Sequence, residues 1–98
     1  MTAYCVLNYR VTDPEAYQAY LRQAGQTLRP YGVETLVADY ASEPVEGEPA
    51  PVTVVLRFDS KETARLWYES PEYQAVLRHR LDNTEGFAVF CDEFVRPS

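Results

Sequence analysis

Polar and apolar positions alternate strictly at the start of the chain. In "AYCVLNYRV", Ala3, Cys5, Leu7, Tyr9 and Val11 form one set, and Tyr4, Val6, Asn8 and Arg10 form a mixed second set. A period of two puts the first set on a core and the second on a partly polar surface, so the segment predicts a β-strand. The period then changes. In "TDPEAYQAYLRQAGQTLRPYG", Tyr17, Tyr20, Leu21, Ala24 and Leu28 recur at helical spacing. Asp13 is placed to cap that helix, Pro14 fits its first position, and Pro30 and Gly32 end it. A second strand is predicted near Val33–Tyr40. "ASEPVEGEPAP", with three prolines, a glycine and three glutamates, reads as a loop.

"PVTVVLRFD" alternates again, with Val54, Leu56 and Phe58 on one face and Thr53, Val55 and Arg57 on the other. Ser60 is placed to cap a short helix through Tyr68. Ser70, followed by Pro71, caps the next, whose inner face is expected to carry Tyr73, Val76, Leu77 and Leu81. The final strand, "GFAVFCDEFV", is expected to set Phe87, Val89 and Cys91 against the helices and Phe90 and Asp92 on the opposite face. The order is β-α-β-β-α-β over a single domain, residues 1–98, with the second helix broken at Ser70-Pro71. Right-handed crossovers fold that order into the α+β, ferredoxin-like arrangement: a four-stranded antiparallel sheet with its helices on one face.

That arrangement leaves the other sheet face bare. The phase assigned to each strand gives it Tyr4, Val6, Val55 and Phe90 among Asn8, Arg10, Arg57 and Asp92. A second copy packed face to face would bury the apolar groups and pair Arg10 or Arg57 with Asp92, so a homodimer is expected. The same phase puts Cys5 and Cys91 near each other on the covered side as unbonded thiols.

Composition narrows the function. Ninety-eight residues with 46 % hydrophobic and 24 % charged residues make an ordinary globular domain. A formal net charge of −6 disfavours nucleic acid and anionic membranes as partners. No apolar run approaches the roughly 20 residues that span a bilayer. "MTAYCVLNYR" lacks the basic start and apolar block of a signal peptide, so a cytoplasmic location is expected. Two cysteines and one histidine in separate contexts do not make a metal site, and no cofactor motif is present.

The candidate chemistry is aromatic. "LWYESPEYQAVLRHR" crowds Trp67, Tyr68 and Tyr73 around the Ser70-Pro71 step, and Tyr17 and Tyr20 lie on the inner face of the first helix. A core built only for packing favours Leu, Ile or Phe, because a buried hydroxyl or indole N–H needs a partner. These five residues therefore stand as the ligand-binding candidates. The expected pocket is a groove beside the helix break, between the sheet and the helices. Tyr73 and His79 are the weak catalytic candidates. His79, the only histidine, lies between Arg78 and Arg80 late in its helix, where a cation at the C-terminal end is the simpler role. Asp13 and Ser70 are accounted for by capping.

The segments "VTDPEAYQAY", "LRFDSKETARLWYESPEYQ" and "GFAVFCDEF" resemble domain-of-unknown-function family 1330, small bacterial proteins of the dimeric α+β barrel group. The resemblance covers nearly the whole chain. Its most specific parts are D-P-E-x-Y-x-x-Y and W-Y-x-S-P-E-Y. It implies a ferredoxin-like protomer whose sheet closes into a barrel with that of a partner, and it implies no particular activity. The chain departs from the family pattern at Asn8, an amide where an acidic residue is expected. Three functions compete: a small homodimeric enzyme or binder of an apolar or aromatic metabolite, a non-catalytic ligand sensor, and a structural dimer without ligand.

Overall fold

In a computed structural model, described over residues 1–97, the chain forms strand β1 (Ala3–Val11), helix α1 (Pro14–Thr27), a 3-10 turn (Arg29–Tyr31), β2 (Glu34–Asp39), β3 (Val52–Phe58), α2 (Lys61–Tyr68), α3 (Pro71–Leu81) and β4 (Thr84–Asp92). The sheet order is β2-β3-β1-β4, all antiparallel, with β1 and β3 central. This is the expected ferredoxin-like α+β architecture.

The helix ends follow the capping residues. Asp13 accepts from the Ala16 N–H at 3.2 Å, Ser60 from the Thr63 N–H at 3.0 Å and Ser70 from the Tyr73 N–H at 3.2 Å. Ser70 also donates to the Trp67 carbonyl at 2.7 Å, so one hydroxyl closes α2 and opens α3. Gly32, at φ 62°, supplies the left-handed residue that ends the 3-10 turn.

Ala3, Cys5, Leu7 and Tyr9 of β1 are buried against the helices, together with Val52, Leu56 and Phe58 of β3, as the alternation requires. On α3 the inner face is Tyr73, Val76, Leu77 and Arg80; Leu81 is half exposed, which corrects its expected placement. Arg80 keeps the 73–76–77–80 helical series, whereas Leu81 lies further round toward solvent.

The phase of β4 also differs from expectation. Opposite residues of neighbouring strands share a face, and the register pairs Cys5 with Phe90, Leu7 with Ala88 and Tyr9 with Gly86. Gly86, Ala88, Phe90 and Asp92 therefore lie on the covered side, and Phe87, Val89 and Cys91 on the open side. The two cysteines are on opposite faces, Cys5 buried and Cys91 exposed. Steric fit fixes this phase. A Cβ at Gly86 would come within 2.2 Å of the Asn8 carbonyl oxygen and 2.5 Å of Tyr9 Cα, so only glycine fits where β4 pairs with β1 at Tyr9.

The open face consequently carries Tyr4, Val6, Val55, Val37, Phe87 and Val89. It is more apolar than expected, with Phe87 54 % and Val89 44 % exposed in the protomer. Its ion pairs also change. Arg57 bonds Glu34 of its own chain at 2.9 Å, and Asp92 lies at the rim of the covered face, 3.4 Å from Lys61.

Asn8 holds the long loop to this face. Its Nδ2 donates to the carbonyls of Ala50 (2.9 Å) and Val52 (3.0 Å) and to Thr53 Oγ1 (3.1 Å), while its Oδ1 accepts from the Ala50 N–H (2.9 Å). A carboxylate could not donate these bonds, so the amide is a structural choice.

Candidate functional site

The aromatic residues form one continuous series across the covered face. Tyr9 and Tyr17 meet edge to face with centroids 5.9 Å apart, and Tyr17 stacks on Tyr20 at 5.8 Å. Tyr20 meets Tyr73 at 6.2 Å, Tyr73 lies 4.0 Å from Trp67, and Tyr68 touches both Tyr73 and Phe90. The five candidates from the sequence are thus brought together, but to different ends.

Tyr73 is fully buried among Trp67, Tyr68 and Tyr20, and its ring fills the space beside the helix break where a groove was expected. The open space lies on the far side of Trp67. A cavity of about 180 Å³ separates α1 from β2, β3 and β1; its aromatic lining is Tyr9, Tyr20, Tyr40 and Trp67, and the remainder is largely aliphatic, from Leu7, Leu21, Ala24, Leu28, Val54 and Leu56. Half-exposed Tyr40 and partly exposed Leu21 stand at its edge. Of the candidates, Tyr20 and Trp67 line it. Tyr17 and Tyr73 stand behind its wall, and Tyr68 faces a separate hollow with Ala88 and Phe90. The edge strand β2 beside the cavity is left uncovered; every residue of β2 is exposed.

Trp67 is anchored through its indole N–H, which donates to Thr27 Oγ1 at 2.9 Å; that hydroxyl donates to the Ala24 carbonyl at 2.6 Å. The last turn of α1 is thereby tied to α2 at the cavity wall.

The phenols pair with each other. Tyr20 and Tyr73 share a hydrogen bond of 2.8 Å, and Tyr9 and Tyr17 share a second. Each pair carries two O–H protons and uses one between its members, so one proton per pair remains to be donated elsewhere. Burial pushes all four phenols above their ordinary pKa, and they stay neutral across the physiological range.

Arg80 completes the cluster. Only 4 % exposed, its guanidinium carbon lies 5.5 Å from the centre of the Tyr9 ring and 5.8 Å from that of Tyr20, within cation–π range. Its Nε is buried without a hydrogen-bond partner, and among the described residues no carboxylate lies within ion-pair distance. His79, one residue earlier, points away. It borders a shallow surface hollow with Asp13, Glu15 and Arg22 of α1, far round the helix from the cavity.

The sequence does not single out Tyr9, Tyr40 or Arg80 as site residues. Arg80 was legible as the continuation of the 73–76–77 stripe. Tyr9 belongs to the inward-facing set of β1, which reads as core. Nothing in the exposed edge segment containing Tyr40 marked it out.

The sequence model of the family described as a domain of unknown function, DUF1330, matches residues 2–94. No curated protein matches the chain. Among solved structures, a protein of unknown function from Rhodopseudomonas palustris is similar at a TM-score of 0.81 and 15 % identity, over 97 % of this chain and 84 % of that one. A dimeric protein of unknown function and ferredoxin-like fold from Bacteroides fragilis aligns at 0.65 and 11 %, over 94 % and 96 %. SnoaB, a cofactor-independent oxygenase from Streptomyces nogalater, aligns at 0.66 and 8 %, over 99 % and 95 %. At such identities these likenesses establish the fold alone.

Proposed function

The chain belongs to the DUF1330 family, matched over residues 2–94, and from that footing we propose that it is a homodimer binding a small apolar or aromatic metabolite in the cavity between α1 and the sheet. The observation that carries the binding reading is the cavity itself: about 180 Å³, walled by aliphatic groups with a few phenols and an indole at fixed positions. That is the character of a small-molecule site, and the volume suits a ligand of about one aromatic ring.

Binding without turnover is the favoured form. Proton transfer near neutrality needs a group that titrates there. The cavity's buried phenols, Tyr9 and Tyr20, are held protonated, and His79 lies on the outer surface. The second reading, cofactorless oxidation, is favoured by one observation, the shared fold of the oxygenase SnoaB. Such chemistry would use the phenols as hydrogen-bond donors rather than as bases.

The dimer reading is supported by the open face, whose Tyr4, Val6, Val37, Val55, Phe87 and Val89 make a contiguous apolar surface, and by the dimeric state of the Bacteroides fragilis relative. No helix among the described residues is long and apolar enough to cross a membrane. A homodimer in the cytoplasm is the proposed setting.

A thermal-shift screen of small metabolites, followed by sedimentation of the same preparation, tests both parts. Ligand binding to the folded state raises the melting temperature by mass action. The expected hits are compounds of about one ring whose effect is removed by Ala24→Phe, which fills the cavity from α1. Hits that persist in that variant would place binding elsewhere, and a stable monomer at micromolar concentration would refute the dimer.

A further inference from the structure

The polar groups of the cavity wall are unevenly placed. Among the described residues no charged side chain lines it, and Arg80, the buried cation, is not part of the wall. Three of the polar side chains that do line it are already committed: the Tyr9 hydroxyl to Tyr17, that of Tyr20 to Tyr73 and the Trp67 indole to Thr27. Their partners lie outside the wall, so these three contribute ring surface. The other two, Thr35 and Tyr40, come from the β2 edge and make no side-chain hydrogen bond within the described residues. Both belong to the covered side. Thr35 pairs with Leu56, and Asp39 pairs with Thr53 of the open face, so Tyr40, the next residue, turns inward. Burial is what chiefly raises the Tyr9 and Tyr17 phenols, and the Tyr40 phenol is near enough to raise both further. The cavity is thus apolar at its inner end, with its uncommitted hydroxyls at the half-exposed rim.

Resting on the binding reading above, we infer that the cavity takes an uncharged ring with one hydroxyl-like substituent, the ring inside against Trp67 and Tyr20 and the substituent held at the rim by Tyr40 and Thr35. A hydroxyl both donates and accepts, so this pair suits a ligand group that does the same. An anionic ring would give up its hydration to a wall that offers no counter-charge, and the chain's net charge of −6 opposes its approach. A wholly apolar ring would fit the volume but make no use of the rim. Tyr40 and Thr35 are therefore specificity-determining residues, with no part in bond making or breaking.

Toluene, p-cresol and benzoate, one ring each, are the probes, titrated into the full chain at neutral pH and followed by nuclear magnetic resonance. Toluene and p-cresol are expected to bind and benzoate to bind far more weakly than either. Tyr40→Phe keeps the ring and removes only the oxygen, so it should weaken p-cresol about fivefold, the scale of one net hydrogen bond, and leave toluene unchanged. Thr35→Val should act in the same direction on p-cresol alone. Tyr40 is half exposed and unbonded within the chain, so Tyr40→Phe is expected to keep the parent's circular dichroism spectrum. If p-cresol affinity is unmoved by both substitutions, or benzoate binds as tightly as p-cresol, the proposal is overturned; toluene binding that is lost in Ala24→Phe would then leave the cavity reading standing. Binding of neither toluene nor p-cresol would overturn the proposal and the cavity reading together.

Discussion

The two faces of the sheet use apolar surface differently. On the covered face, aromatic rings carry hydroxyls and an indole N–H whose bonds are made within the chain: Trp67 to Thr27, Tyr20 to Tyr73, Tyr9 to Tyr17. On the open face the apolar groups are mostly aliphatic, and the polar side chains that bond there, Asn8 to the loop and Arg57 to Glu34, bond around them. The first face is complete within one protomer apart from Arg80. The second is complete only when something dry covers it. The difference separates two kinds of unsatisfied surface: a buried cation without a counter-charge on one face, and on the other an apolar sheet without a cover, which supports the proposed dimer.

The largest effect expected from breaking this contrast is at Trp67. Trp67→Ala removes a fully buried indole that packs on Tyr73 and Phe58 and anchors α1. Large-to-small changes of this kind cost about 3–5 kcal/mol, enough to unfold much of a small domain. Urea denaturation should show a midpoint shifted strongly downward; a shift of less than about 1 kcal/mol would mean the aromatic series is loosely packed.

A smaller effect, of a different kind, is expected at Val55 on the open face. Val55→Lys places a charge in the middle of the apolar surface and should weaken dimerisation by about 2 kcal/mol or more, the scale of an interface hot spot. The variant should sediment as a folded monomer with an unchanged far-ultraviolet circular dichroism spectrum. Loss of folding together with dimerisation would mean that the protomer has no independent stability, and the two faces would then be energetically one unit.

The smallest effect near neutrality is the titration of the covered-face phenols. Their folded pKa values lie above the ordinary 10.0, so the stabilisation they contribute is fully present below about pH 10 and is lost as pH rises through the folded values. Phenolate absorbance from Tyr9, Tyr17, Tyr20 and Tyr73 should therefore rise only well into alkali and together with unfolding, as followed by circular dichroism. Ionisation of these four without loss of structure would show that the cluster is open to solvent. Cys5 should follow the same pattern: its thiol, pushed up to about 11 by burial, should resist modification until the chain unfolds.

Much of this was written in the sequence. The alternation of β1 and β3, the caps at Asp13, Ser60 and Ser70, and the proline-rich loop led to the observed order of elements, because each depends on residues within a few positions of one another. The family resemblance added the dimeric context. The phase of β4 was not readable from apolar pattern, since "GFAVFC" is apolar on both faces; the alternation of small Gly86 and Ala88 with large Phe87 and Val89 was the better signal. Which end of Arg78-His79-Arg80 turned inward was likewise undecided by composition, and the choice of Arg80 over His79 changes the chemistry of the site.

Local sequence thus determined where strands and helices begin, end and turn their apolar sides. Only the tertiary structure decided which aromatic rings fill space and which border it. Tyr73 closed the groove at the helix break, while the uncovered edge strand β2 left a cavity beside Tyr20 and Trp67. A void is a property of distances between elements far apart in the chain. It depends on how α1 crosses the sheet, and that crossing is fixed by the sum of packed side-chain volumes rather than by any one segment's pattern.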